Sequence, residues 1–410
     1  MSARDALRDF HRAALDAVHA GRALERALAA RDPGPGPFVL LAAGKAACAM
    51  AEAALRRLGP RIARGRVTTK DGHARALSGL VVREAAHPLP DARSESAGRE
   101  ALALAGSLAG AEELLVLISG GASALWCVPA EGLSLADKRA ASEALLRSPA
   151  DIHELNTVRR HLSALKGGGL ARAAHGRRIH AYAVSDVRGD APHEIGSGPV
   201  SADPSSARQA LAVLDRHSVR VPDAVRRRLL TQGGPAGGAE LSSVSFEVVA
   251  SLDAALEAAR RAAEAHGLRV CVLREGLYGE VEAVARGLAA QARAHAGALV
   301  IAGGEPTVRV RGAGQGGRAQ ELALRLALEL TGSEFVALCA GSDGSDGATP
   351  AAGGFSDSST LRRAAALGRP VAAALAQSDS HGLLKALGDL CVTGPTDTNV
   401  TDLAFVQVTA

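Results

Sequence analysis

Five short apolar runs punctuate the chain: FVLLAAG at 38–44, LLVLISGG at 114–121, AYAVSDV at 181–187, ALVIAGG at 298–304 and FVALCAG at 335–341. Each is continuous rather than alternating, the pattern of strands buried on both faces. Between them lie long stretches rich in Ala, Leu and Arg that predict helices, so strands and helices alternate. That alternation predicts an α/β protein whose sheets are largely parallel. In the later half, ALVIAGGEPTVRVRG (298–312) predicts two strands joined by a short Gly-containing turn, which makes that sheet partly antiparallel.

Helix ends are marked as clearly as the strands. The sequence from Lys45 to Leu58 predicts a helix with Arg56 and Arg57 in its last turn and Gly59 beyond its end. Ser134 with Asp137 forms a capping box, and Asp203 followed by Pro204 predicts a further helix start. The stretch Thr231 to Ser243 is the only extended Gly/Pro/Ser segment mid-chain, which predicts two α/β domains, 1–235 and 240–410. The first is expected to be a doubly wound, Rossmann- or flavodoxin-like sheet and the second a smaller mixed one.

Composition narrows the class. A chain of 410 residues with 47% hydrophobic and 22% charged positions forms cores rather than a disordered ensemble. No apolar run is long enough for a membrane span, and charges spread through the first 20 residues predict an amphipathic helix, not a signal peptide, hence a cytoplasmic protein. Five dispersed cysteines without a C-x-x-C pair predict buried, reduced thiols. The net charge is +4, but cations and anions are interleaved and aromatics make up 2% of residues, which argues against nucleic acid. Lysine is rare, five among 47 cations, and both Lys45 and Lys166 adjoin glycine.

In open α/β sheets ligands bind beyond the carboxyl ends of strands, where this chain places Gly44-Lys45, Ser119-Gly120-Gly121-Ala122-Ser123, Ser185-Asp186 and the loop Gly341 to Gly347. Glycines admit an anion to backbone amides and serines add donors, so a phosphate-bearing ligand is expected. Gly44-Lys45 is not a P-loop, because Val39 stands where the first glycine is needed and Ala46 where Ser or Thr would hold Mg²⁺. Gly312 to Gly317 formally matches G-x-G-x-x-G, but no acidic residue ends a second strand about 20 residues on. Asp186, Asp190, Glu305, Glu321, Asp343 and Asp346 are hard oxygen donors suited to Mg²⁺. His87 and His161 are expected to make structural hydrogen bonds.

The motifs GKAACAMA, HPLPDARS, ISGGASAL, LNTVRRHLSALKGGGLA, SDVRGDAPHEIGSGP, GGEPTVRVRGAGQGGRAQELAL, AGSDGSDGATPAAGG and GPTDTNVTDL follow in this order. Together they resemble the glycerate 2-kinase family of MOFRL-type glycerate kinases, some of which carry hydroxypyruvate reductase labels. The resemblance implies transfer of the γ-phosphoryl of ATP to the 2-hydroxyl of D-glycerate with Mg²⁺ or Mn²⁺, in a cleft between two α/β domains. It makes Lys45 and Arg318 the leading catalytic candidates. Ser119, Gly120, Gly121, Ser123, Asn156, Arg159, Lys166, Gly316 and Gly317 would shape substrate and phosphate binding. Asp186, Glu305 and Asp343 are the metal candidates, and Asp190 the proton acceptor. Partners are then small molecules, with neither nucleic acid nor membrane involved, and a homodimer is left open.

Departures from the family pattern accompany the match: Ala319 in GGRAQE, Ala348 and Pro350 in DGATPAAG, Asp397 in GPTDTN, Arg188 and Ala191 in RGDA, and Gly169 in KGGGL. Two other readings are an NAD(P)H-dependent hydroxypyruvate reductase, resting on the glycine string, and a catalytically silent sugar-phosphate-binding regulator.

Overall fold

The computed structural model describes residues 2–231 and 241–409. The chain forms two units: Ala20–Val249, and a second made of the stretch up to His19 together with everything from Ala250 onward.

The first unit is built on six strands: β1 (Phe38–Ala43), β2 (Ile62–Lys70), β3 (Leu80–Ala85), β4 (Glu113–Ile118), β5 (Ile179–Val184) and β6 (Val244–Ala250). Their order is β3-β2-β1-β4-β5-β6. The pairs β1–β2, β2–β3, β1–β4 and β4–β5 are all parallel. Every residue of β1 and β5 is buried, as the unbroken apolar runs require. One face of the sheet packs Val39, Leu41, Leu114, Val116 and Ile118 against Ala97, Ala101 and Leu165. The order 3-2-1-4-5-6 is doubly wound, and its direction of winding reverses between β1 and β4, so the crevice for ligands opens beyond the ends of those two strands.

Two of the expected helix ends are present and a third is not. Helix Ala47–Leu58 stops at Gly59, whose φ is 53°, and Ser134 and Asp137 cap helix Leu135–Leu146 reciprocally. Asp203-Pro204, by contrast, starts no helix. The helix begins at Ala207 under a Ser206–Gln209 capping box, and the Asp203 carboxylate instead accepts from Arg160 Nε at 2.9 Å and Ser205 N at 3.0 Å.

The domain boundary also differs from expectation. Of the segment 231–243, residues 232–240 lie outside the described residues. Just after it, β6 adds to the first sheet beside β5, which carries the first unit to Val249. Helix Ala3–Val18, capped by Ser2 and Asp5, belongs to the second unit. It buries Leu7, Phe10, Ala14 and Val18, sets the Phe10 ring 5.2 Å from that of His266, and pairs Arg4 with Asp357 and Asp389.

The second unit contains β7 (Arg269–Leu273), β8 (Gly279–Glu280), β9 (Ala298–Gly304), β10 (Pro306–Thr307), β11 (Phe335–Gly341), β12 (Gly353–Asp357), β13 (Leu390–Cys391) and β14 (Asp402–Val408). The main sheet has the order β13-β12-β11-β14-β9-β7. It is mixed, as expected, but for a different reason. β14 runs antiparallel to both β9 and β11, while β10 pairs with β8 in a separate two-stranded sheet. Both edges of β9 are occupied by β14 and β7, so the expected hairpin has no place to form.

Four of the five cysteines, Cys48, Cys127, Cys339 and Cys391, are buried. Among the described residues no helix is long and apolar enough to cross a membrane.

Candidate active site

In the first unit the loops after β1 and β4 are stitched together. Lys45 N donates to Gly120 O at 2.9 Å, Ala46 N to Ser119 Oγ at 3.1 Å, and Ser119 N to Ala43 O at 3.0 Å. Gly44 is required by this approach: its φ is 134°, and a Cβ there would lie 2.1 Å from Ser119 Oγ. Gly121, at φ 89°, is flanked by His87, whose ring would stand 2.9 Å from an added Cβ, and by Lys45 Cγ at 3.6 Å. Lys45 is thus fixed by its backbone at the point where the sheet reverses its winding. Ser119, 1% exposed, acts mainly on the backbone of the Lys45 loop.

The remaining first-unit candidates form two neighbouring sets. Lys166, 2% exposed, donates to Ser123 O at 2.7 Å and to Ser123 Oγ, which lies 2.9 Å from Ser197 Oγ. Burial, reinforced by Lys138, Arg159 and Arg160, holds its ammonium well below the usual lysine range despite the opposing influence of Cys127. Asn156 donates to Glu194 Oε2 at 2.9 Å, and Arg160 reaches Glu194 and Asp203. Arg159, on helix Ile152–His161, is part-buried. Asp186 and Asp190 follow β5, with Asp190 in the left-handed region at φ 52°. His161 packs 3.2 Å from Ser205 Oγ, the structural role expected of it.

In the second unit Arg318 opens helix Arg318–Glu329. Its Nε donates to Asp402 Oδ2 at 2.6 Å, its Nη2 to Asp402 Oδ1 at 3.3 Å, and its Nη1 to Glu305 Oε1. Burial pushes the Asp402 carboxyl up to about 7 in spite of the guanidinium beside it. Burial also works against the Arg318 charge, but Asp402 and Glu305 outweigh it and hold the guanidinium above its ordinary value.

The glycines before Arg318 have structural partners. A Cβ on Gly317 would lie 2.2 Å from Asp346 Oδ1, and one on Gly316 would lie 2.0 Å from Ser380 Oγ. Asp346 itself takes the helix-terminal amides, from Ala319 N at 3.1 Å and Gln320 N at 2.8 Å. A protein carboxylate therefore already occupies this helix N-terminus. Residues 308–317 form neither strand nor helix, and Gly312 and Gly314 press against Gln377 and Asp379. The strand–glycine–helix turn that a dinucleotide fingerprint needs is not formed here.

Of the metal candidates, Glu305 is engaged with Arg318, and Asp343 Oδ1 accepts from Ser345 N and Oγ, both at 3.0 Å. No three His, Cys, Asp or Glu side chains among the described residues gather into a metal-binding group. Mg²⁺ characteristically takes only one or two carboxylates and completes its shell with phosphate and water. The Asp343 loop docks on the GPTDTN segment, where Thr396 Oγ1 donates to Ser342 O, and on the residue after it, with Val400 N donating to Ser342 Oγ at 2.8 Å. Asp402 was missed from sequence because it opens an apolar strand, and Glu194 because nothing local in its Gly-containing loop shows that Asn156 and Arg160 meet it.

Two family models match the chain: a domain of unknown function (DUF4147) over residues 6–230 and the MOFRL family over residues 298–402. A D-glycerate 2-kinase of Thermotoga maritima is 38% identical over 89% of this chain and 89% of its own length. A protein of Agrobacterium vitis named as a hydroxypyruvate reductase is 39% identical over 100% of this chain and 95% of its own. The crystal structure of a glycerate kinase from Thermotoga maritima superposes with a TM-score of 0.89 at 35% identity, covering 98% of this chain and 99% of that one.

Proposed function

Since this chain belongs to the glycerate 2-kinase family, we propose that it phosphorylates D-glycerate at the 2-hydroxyl, with ATP as donor and 2-phospho-D-glycerate and ADP as products. The observation that carries the reading is the position of Lys45, pinned by the Ser119–Gly121 loop at the switch point of a doubly wound sheet. Phosphoryl transfer depends on positioning and on neutralising charge that spreads over the equatorial oxygens. A lysine ammonium is a compact, mobile charge and an arginine fork a fixed one, so Lys45 and Arg318 are assigned to the transferring group. Asp190 is assigned as acceptor of the hydroxyl proton.

Mg²⁺ supplies charge neutralisation on the donor's phosphate oxygens. Asp343 and Asp186, as hard oxygen donors in loops, would contribute its carboxylates. Glu305 is reassigned to holding Arg318.

The reductase name carried by relatives in Agrobacterium vitis finds no support in the Gly312–Gly317 segment, whose glycines pack against Gln377, Asp379, Ser380 and Asp346. A coupled assay of ADP release tests the two readings together. Release that depends on D-glycerate, with no NAD(P)H oxidation when hydroxypyruvate is supplied, is expected. NAD(P)H oxidation without glycerate-dependent ADP release would replace the kinase with the reductase.

A further inference from the structure

The first unit buries more basic side chains than its own carboxylates meet. Lys138, on helix Leu135–Leu146, is 4% exposed, reaches only the Val128 carbonyl at 3.5 Å and the Cys127 thiol, and has Glu95 as a more remote influence. The ammonium of Lys166, a residue 2% exposed, hydrogen-bonds only Ser123. Arg159 is part-buried, and burial lowers the hold on its charge while Cys127 acts the other way. Among the described residues no aspartate or glutamate forms an ion pair with any of these three.

The next residue shows that the chain neutralises a buried cation where it needs to: Arg160, also 4% exposed, is met by both Glu194 and Asp203. Two of the five lysines in a chain dominated by arginine occupy this cluster. Removed from water without a counter-charge, a lysine destabilises the fold or gives up its proton, unless an anion joins it and keeps it charged. Like charges at close range add to that cost.

Resting on the kinase reading above, we infer that Lys138, Lys166 and Arg159 form an oxyanion site that takes the carboxylate of the acceptor hydroxy acid. Three features favour this ligand. Both lysines are at most 4% exposed while Arg159 is part-exposed, so a ligand that meets all three is small and comes in at the arginine. An arginine fork matches a planar carboxylate. Lys166 also holds Ser123, in the loop whose Gly120 carbonyl receives the Lys45 amide. An acid anchored there lies beside the loop that presents Lys45, whose charge is assigned to phosphate. The site would distinguish a hydroxy acid from a polyol of equal length.

The test is isothermal titration calorimetry of the full chain and its Lys138→Met and Arg159→Gln variants, with D-glycerate, glycerol and ATP titrated separately. The wild type should bind D-glycerate and not glycerol. Both variants should bind D-glycerate at least ~10-fold more weakly while ATP affinity changes less than ~3-fold. Unchanged glycerate affinity in a folded variant, or no glycerate binding by the wild type, overturns the site. Weakened ATP binding with intact glycerate binding overturns the carboxylate assignment in favour of phosphate. If Lys138→Met does not fold, the part-exposed Arg159→Gln decides alone. Glycerate binding that depends on the cluster in a protein without transferase activity would refute the kinase and keep the acid site.

Discussion

Arg318 and Asp402, separated by 84 positions, meet as a guanidinium resting on a buried carboxylate, with Nε–Oδ2 at 2.6 Å and Nη2–Oδ1 at 3.3 Å. β14 begins at Asp402, directly across from Gly304 of β9, which places the carboxylate next to the loop carrying Glu305. Two acids thus grip three nitrogens of one arginine and fix the direction of its fork before any substrate arrives.

Asp402→Asn should therefore lower kcat ~10- to 100-fold with a smaller change in the KM for D-glycerate. Removing one charge of a buried pair costs about 2–5 kcal/mol in comparable settings, and here the loss falls on a group used in the transition state. Steady-state kinetics checks this. A variant that folds and keeps wild-type kcat would show that the fork needs no such support.

The raised carboxyl of Asp402 also predicts a pH dependence. Its value when folded, about 7, lies above the 3.8 of an unperturbed aspartate, so between those values the folded state holds a proton the unfolded state has lost. This contribution to stability is complete below about pH 4 and is lost as pH rises through 7. Urea titrations from pH 4.5 to 8 should show a decline in unfolding free energy that is flatter in Asp402→Asn. Identical slopes would contradict the assignment.

Gly44→Ala should destabilise the first unit by about 2 kcal/mol or more. The new Cβ collides with Ser119 and the backbone is held at φ 134°, where alanine is strained. Ser119→Ala should cost only about 1 kcal/mol, because it removes the acceptor for the Ala46 amide and leaves the backbone unstrained. Thermal melts of the two variants check the order of these effects, and equal shifts would contradict it.

Lys45→Ala should leave the melting behaviour near wild type yet reduce kcat ~10²- to 10³-fold, the usual consequence of removing one preorganised donor from developing charge. Arg318→Lys should also be damaging, because the charge remains while the fork on Asp402 is lost. Full activity in either folded variant would remove that residue from the mechanism.

The sheets were legible in the sequence because their central strands are unbroken apolar runs, and all five expected runs coincide with strands β1, β4, β5, β9 and β11. Relationships made by tertiary structure alone were not. Nothing local tells helix Ala3–Val18 to join the second unit, or β14 to occupy the edge of β9 that the Pro306–Arg311 segment was expected to fill. Lys45 and Arg318 stood out because the resemblance to the glycerate 2-kinase family marks them, and Lys45 also because it adjoins glycine after the first strand. Asp402 did not, since it opens an apolar strand and gains its partner from a helix far away in sequence. Among the departures from the family pattern, Ala319 faces the hydrophobic core, while Ala348 and Pro350 are exposed.

The central claim is phosphoryl transfer to the 2-hydroxyl of D-glycerate, and ³¹P NMR of the protein with Mg²⁺-ATP and D-glycerate tests it most directly. A growing 2-phosphoglycerate resonance matched by ADP is the predicted result. A 3-phosphoglycerate resonance would preserve the reaction class and contradict the regiochemistry, and intact ATP with no new phosphoester would contradict the kinase itself.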